Sequence, residues 1–221
     1  MSSNSRMATP TESTEPGRTY GGETAADRLA RQRRQFLDAG LTLFGSIGYR
    51  ATTVRLLCKQ AGLIDRYFYK NFSDTEELLA AIYTESMDQI QAEVMAALAA
   101  ALPSGDTERI VTAGLDTFFK AFENARVARV CWLEVLGVSP RIDALYTRRI
   151  EQFTELLISV AQRLLPRWPA SDDEAHYIAM ALIGGVTQSA AHWLLSDYRA
   201  PRKVLVTANA LLLRSTMGAL G

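Results

Sequence analysis

The sequence predicts an all-α protein of about nine helices, and three observations carry that prediction. Apolar residues recur at three- and four-residue intervals along most of the chain, and no run sustains the alternation of a half-buried strand. The breaks between periodic segments fall at glycine, proline and capping residues. With 221 residues, 48% hydrophobic and 22% charged, the chain has ordinary globular composition and enough length for one large or two small domains.

The opening "MSSNSRMATPTESTEPGRTYGGET" is rich in Ser, Thr, Pro, Glu and Gly, has no apolar signal region, and reads as a disordered tail over residues 1–24. Phe36, Gly40, Leu43, Phe44 and Ile47 then mark one face of a first helix that stops around Gly48. Thr52 or Thr53 caps a second, with Val54, Leu57, Cys58 and Ala61 inward, Arg55 and Lys59 outward, and Gly62 at its end. A very short third helix runs from about Asp65, its expected N-cap, to Asn71. Phe68 and Phe72 share its buried face, leaving Arg66, Tyr67, Lys70 and Asn71 outside. Ser73 or Asp74 opens a fourth, with Glu76 and Glu77 in its first turn, that reaches Ala101 before "LPSGD".

Further helices are predicted from Thr107 to Asn124, over Ala128–Leu136, and from Ser139-Pro140 to Leu165. After "PRWPASDD" come a helix over Asp172–Ser196 and a last one beginning near Pro201. Tyr177 to Ser196 contains no Asp, Glu, Lys or Arg, a length that could cross a bilayer. Gly184, Gly185, Thr187, Gln188, Ser189 and His192 make it too polar for lipid, so it reads as a helix buried on most sides by protein, with no membrane partner.

Lys plus Arg equal Asp plus Glu at 24 each, which argues against nonspecific polyanion binding. The distribution is uneven, with 11 Lys/Arg against 7 Asp/Glu in residues 1–75 and 13 against 17 thereafter, suggesting two parts with different partners. Cys58 and Cys131 show no metal-ligand spacing, which fits a reducing cytoplasm and leaves no metal or cofactor to expect. Cys131 with His176 could be drawn as nucleophile and base, but nothing in the sequence joins or orients them and no glycine loop cradles a phosphate. No catalytic residue, and no enzyme, is expected.

The second and third helices, joined by a short glycine-containing turn, have the form of a helix-turn-helix whose second helix enters the DNA major groove. Arg66 and Asn71 suit guanine and adenine edges, Lys70 a phosphate or guanine, and Tyr69, offset from both faces, a phosphate. The competing reading is a solvated face of a small bundle.

The run "RQFLDAGLTLFGSIGYRATTVRLLCKQAGLIDRYFYKNFSDTEELL", Arg34 to Leu79, resembles the N-terminal domain of the tetracycline-repressor (TetR-like) family. The paired residues Phe36-Leu37, Ala39-Gly40 and Leu43-Phe44, Gly48, "TTV", "AG" at 61–62, "FY" at 68–69, Phe72 and "EELL" at 76–79 keep that family's order and spacing. The departures are Ile64 for the usual capping Ser or Thr, Asn71 for histidine, Thr75 for a phosphate-holding lysine, and Cys58 for alanine. The resemblance implies groove-edge or phosphate contacts from Thr52, Thr53 and Arg55, and base or backbone reading by Arg66, Tyr67 and Lys70. It further implies backbone positioning by Tyr69 and Thr75, with Arg50 and Tyr49 at the loop and Asp65 opening the reading helix. Arg31, Arg33 and Arg34 are either phosphate contacts or a solvated face.

The resemblance also implies a domain division at 25–80 and 81–221, and a homodimer on a palindromic double-stranded operator. Gly184, Gln188, Ala191 and Leu195 on one helix, with Leu205, Ala208, Asn209 and Leu212 on the next, are the expected dimer interface. A small, hydrophobic effector is expected in a pocket lined by Phe118, Phe122, Trp132, Tyr146, Phe153, Tyr177 and Met180, with Glu134 and His176 either as polar anchors or as paired groups within the bundle. The whole reads as a ligand-responsive transcriptional repressor. The alternative is a helical ligand-carrier or interaction module without DNA binding.

Overall fold

The structure, a computed structural model, describes residues 24–165 and 171–220. Residues 1–23 of the expected 1–24 tail and residues 166–170 of the "PRWPASDD" break lie outside the described residues, whereas Thr24, expected in the tail, caps the first helix. Among the described residues all regular structure is helical. It comprises α1 (Ala25–Phe44), α2 (Val54–Ala61), α3 (Asp65–Asn71), α4 (Thr75–Ala101), α5 (Thr107–Ala121), α6 (Ala125–Arg129), α7 (Pro140–Leu164), α8 (Asp172–Leu195) and α9 (Arg202–Leu220). A 3-10 turn covers Leu102–Ser104 and a π turn covers Val130–Glu134.

Thr24 and Asp27 form a capping box at the start of α1, which buries Phe36, Leu37, Ala39, Gly40 and Phe44. The helix ends at Phe44, earlier than Gly48, which instead closes the following turn at φ 92° with its N–H on the Leu43 carbonyl. Gly40 lies where α4 crosses α1, and a Cβ there would stand 2.5 Å from Ile82 Cδ1. Thr53 caps α2, accepting the Leu56 N–H at 3.3 Å. Gly62 ends it in the left-handed region, with Leu63 N–H returning to the Cys58 carbonyl at 3.0 Å.

The expected cap of α3 is corrected. Ile64 holds the extended cap position without a side-chain bond, while Asp65 is already helical and accepts the adjacent Arg66 N–H at 2.8 Å. Asp74 caps α4 through the Glu77 N–H at 2.7 Å, and Ser73 N–H donates to Glu77 Oε2 at 2.7 Å. That backbone donor, with the Ser73 hydroxyl, holds the Glu77 carboxyl below the usual carboxylate range. Phe36, Leu57, Phe68 and Leu78 form a sealed core beneath these four helices. Phe36 and Phe68 meet edge to face at 5.3 Å, a geometry worth ~0.5–1.5 kcal/mol beyond burial.

α4 continues into the larger part of the molecule, where α5 packs on both α4 and α9 and α7 pairs with α8. Buried Arg149 ties α7 to α4, donating to Asp88 at 2.5 Å and Gln91 at 2.7 Å. Phe122 centres an aromatic cluster, 4.9 Å from Phe118 and 4.8 Å from Trp132 between ring centroids. α5 stops at Ala121 rather than Asn124, because Asn124 caps α6 by accepting the Arg126 N–H at 3.1 Å. The helix expected over 128–136 is the end of α6 running into the π turn.

α8 has 24 residues and a mean hydropathy of 1.3 over its most apolar window, only 22% of which is buried. The expected burial on most sides is therefore not met within one chain. Ala175, Ala179, Val186, Ala190 and Trp193 face inward, whereas Tyr177, Gly184, Gln188 and Leu195 face outward.

Candidate functional site

The outer surface of α2, α3 and their flanking loops gathers cationic and hydroxyl groups around a fixed core. Phe68 and Phe72 point inward and set the rotation of α3, leaving Arg66, Tyr69 and Lys70 exposed. Tyr69 is 61% exposed, which frees its hydroxyl, while Tyr67 is half-buried with Lys70 Nζ 5.8 Å from its ring centroid. Arg50, Thr53 and Arg55 lie exposed on the neighbouring loop and α2, and Thr75 is half-buried at the start of α4. Asp65 is exposed at the opening of α3.

Two expected contacts are corrected. Thr52 is buried and its Oγ1 donates to the Gly48 carbonyl at 2.8 Å, so it braces the α1–α2 loop instead of facing outward. Asn71 turns its amide back to the Tyr67 carbonyl at 2.8 Å and closes α3, which takes that donor from a base edge. The arginines of α1 are also engaged within the chain. Arg33 donates to the Asn71 carbonyl at 3.1 Å and lies 4.4 Å over the Phe72 ring. Arg34 pairs with Glu85, and Arg31 donates to Gln35. Ile64, absent from the expected set of contacts, is 57% exposed beside Asp65 at the tip of α3. Its place in the sequence, where the reading helix opens, was the available signal.

In the larger part of the molecule, α4, α5, α7, α8 and α9 line a partly open cavity of about 100 Å³. Val94, Leu98, Leu115, Phe118, Phe153, Leu157, Ile183 and Val186 are among its apolar walls, and Thr187 is the polar side chain among the lining residues. Thr187 Oγ1 already donates to the Gly184 carbonyl at 3.0 Å.

Of the expected pocket residues, Phe118 and Phe153 line this cavity. Phe122 and Trp132 are packed solid behind Phe118, and half-buried Tyr146 and Met180 lie outside the lining. Tyr177 is 69% exposed and faces away. Neither expected polar anchor reaches the cavity lining: Glu134 is bonded to Tyr49 and Arg129, and His176 lies 3.8 Å from Glu151. Cys131 is wholly buried, which pushes its thiol up to about 12 and unfits it as a nucleophile.

The outward faces of α8 and α9 carry apolar residues at helical spacing. Gly184, Gln188 and Leu195 are exposed and Ala191 half-exposed on α8, and Ala208 and Leu212 are exposed on α9. Leu205 and Asn209, expected in the same face, are buried within the chain, where Asn209 donates to the Leu205 carbonyl. Val204 and Leu211 stand outside in their place, at 54% and 63% exposure.

Comparison with known proteins agrees with this geometry. The family described as "Bacterial regulatory proteins, tetR family" matches residues 36–82, from the middle of α1 into α4. The HTH-type transcriptional regulator BetI of Escherichia coli is 30% identical over 165 residues, covering 72% of this chain and 82% of that protein. Its counterpart in Shigella flexneri matches to the same extent. The fold is shared with the fatty acid degradation regulator FadR of Bacillus halodurans, at 19% identity and a TM-score of 0.73 over 86% of this chain and 96% of that one. It is shared equally with FadR of Bacillus subtilis, solved with stearoyl-CoA, at 17% identity and a TM-score of 0.71 over 81% and 96%. With its helix-turn-helix, its helical larger part and a relative matched along most of its length, the chain belongs to the tetR family of bacterial regulatory proteins.

Proposed function

We propose that this chain is a ligand-responsive, DNA-binding transcriptional repressor that grips a palindromic operator as a homodimer in the cytoplasm. The observation that carries the reading is the division of α3: phenylalanines inward, and Arg66, Tyr69 and Lys70 outward and exposed among the described residues. Arg66 suits a guanine edge, and Lys70, Arg50, Arg55, Thr53 and Tyr69 suit the phosphates on either side. Ile64 gives the reading helix an apolar tip of the kind that meets a thymine methyl. Residues 25–80 form the reading part and 81–221 the part that senses and pairs.

Covering of the outward faces of α8 and α9 by a second copy accounts for their exposed Leu195, Val204, Leu211 and Leu212. The two buried free cysteines suit a reducing compartment. The apolar cavity favours an uncharged or aliphatic effector portion, in keeping with a structural neighbour that was solved with an acyl-CoA. Coupling of ~1–3 kcal/mol between cavity and operator would change affinity by ~5–150-fold.

The test is selection of duplexes from a random-sequence pool, followed by affinity measurements across a salt series. A recovered inverted repeat, bound with a steep salt slope, supports the proposal. Failure to enrich any sequence by a folded dimer would overturn it.

A further inference from the structure

The α1–α2 loop is fastened from outside the helix-turn-helix by one side chain distant in sequence. Glu134, the last residue of the π turn, accepts the Tyr49 N–H on Oε2 at 2.7 Å across 85 residues of chain. Its other oxygen, Oε1, accepts Arg129 Nε at 2.8 Å, so the carboxylate is held at both ends. Gly48 accommodates it twice over. Its φ is 92°, and a Cβ there would lie 3.2 Å from Glu134 Oε2 and 3.3 Å from Oε1. Tyr49 packs its ring on Phe44 at 5.4 Å, and its carbonyl accepts the Thr52 N–H at 3.0 Å. The Gly48 carbonyl takes the Thr52 hydroxyl, and Thr53 caps α2 in the next position. The carboxylate is therefore two short bonds from the cap of α2, the helix against which α3 is set.

The other side of the same π turn reaches the cavity wall. Trp132 packs on Phe122 and, at 6.3 Å, on Phe118, which lines the cavity. Trp132 is 4% exposed, and its Nε1 has no partner, the one buried side-chain donor so placed among the described residues. An unpaired buried donor costs ~1–3 kcal/mol, and π turns are an irregular helical form often found at functional sites. A turn that is firmly bonded on its loop side and unsatisfied on its aromatic side has a reason to shift when its surroundings change.

We infer that Glu134 is a positioning residue for DNA reading: its carboxylate sets the α1–α2 loop, and through it α2 and α3, according to the packing around Trp132. The coupling to Trp132 rests on the effector reading above; the positioning of the loop does not.

The experiment uses the full chain, the duplex it selects from the random pool, and the variants Glu134→Ala, Glu134→Gln and Arg129→Gln. Glu134→Ala lowers affinity for the selected duplex about tenfold, leaves affinity for an unrelated duplex within about twofold, and speeds amide exchange at Tyr49. Glu134→Gln keeps an acceptor for the Tyr49 N–H and restores affinity to within about threefold, as does Arg129→Gln, which leaves that bond in place. Unchanged affinity in Glu134→Ala overturns the inference. So does loss of both duplexes in proportion to loss of thermal stability with no rescue by Gln, since that is a purely structural role. Should Glu134→Ala not fold, Glu134→Met, close in size but without an acceptor for the Tyr49 N–H, takes its place: selective loss of the selected duplex with faster Tyr49 exchange supports the inference, and unchanged affinity overturns it.

Dodecanoyl-CoA is the cavity probe. Probe binding that speeds Tyr49 exchange in the wild type but adds nothing in Glu134→Ala supports the coupling. Probe binding with no change at Tyr49 removes the coupling alone. A probe that does not bind counts against the effector reading and leaves the duplex result standing.

Discussion

The short helix α3 and the long pair α8 and α9 expose opposite chemistry. α3 hides Phe68 and shows Arg66 and Lys70, whereas α8 and α9 hide Trp193 and Asn209 and show Leu195, Val204, Leu211 and Leu212. Exposed cations beside buried aromatics fit a hydrated, anionic partner such as a duplex. Exposed leucines beside a buried amide fit a surface that is itself covered, which is the basis for proposing a second copy of the chain there. What each element leaves outside is thus more informative about its partner than what it puts inside.

That contrast can be broken at its anchor first. Phe68→Ala should remove ~3–5 kcal/mol of stability and abolish duplex binding, because Phe68 is fully buried against Phe36. Urea denaturation checks this, and a loss below about 1 kcal/mol would mean that α3 is not anchored as described. On the other surface, Leu212→Glu should weaken self-association at least ~100-fold, about 3 kcal/mol, by leaving a charge in a covered interface. Sedimentation at graded concentrations reads the effect, and a dimer of wild-type strength would assign the pairing elsewhere.

Finer tests sharpen the reading side. Arg66→Ala should cost ~1–3 kcal/mol and relax base preference at one position, while Lys70→Ala should weaken all duplexes alike and lower the salt slope by ~1. Selected-sequence comparison and salt titration separate the two. A last test lies in the core. Burial raises the Cys131 thiol from 9.0 to about 12 and raises the Tyr83 hydroxyl too, so the fold prefers both groups protonated. Their contribution is complete below their ordinary values and is lost as pH rises through the range above 9. For Cys131 alone the loss should be ~1–2 kcal/mol by pH 10, and Cys131→Val should flatten that part of the urea-midpoint profile.

Much of the reading part was legible in the sequence because its elements are short and punctuated. Gly62, Thr53 and Asp74 mark ends by local hydrogen bonding, and Phe68 with Phe72 fixes which side of α3 is buried. Asp65 misled because a carboxylate that bonds its immediate neighbour looks, in sequence, like a cap. Thr52 misled because its bond to Gly48 depends on a loop geometry that spacing does not encode.

The larger part was less legible for a different reason. α9 carries apolar residues on more than one face, so Leu205 and Leu212 look alike in sequence although one is buried and the other 58% exposed. The cavity is a gap between five helices, and no residue announces that its neighbour is missing. Phe118 borders it while Phe122, one turn on, is packed solid. The π turn, and with it the reach of Glu134 to Tyr49, has no periodic signature at all.

α4 spans 27 residues without interruption, from Thr75 beside the reading surface to Ala101 beyond the cavity. At ~1.5 Å per residue it is an arm of ~40 Å, so a pivot of only ~5° displaces one end by ~3.5 Å, close to the ~3.4 Å rise of a single nucleotide step. In the proposed dimer an uninterrupted lever of that length would turn motion too slight to disturb core packing into a register error between two grooves, and a Gly-Pro insertion near its midpoint would disconnect the stroke while sparing both ends.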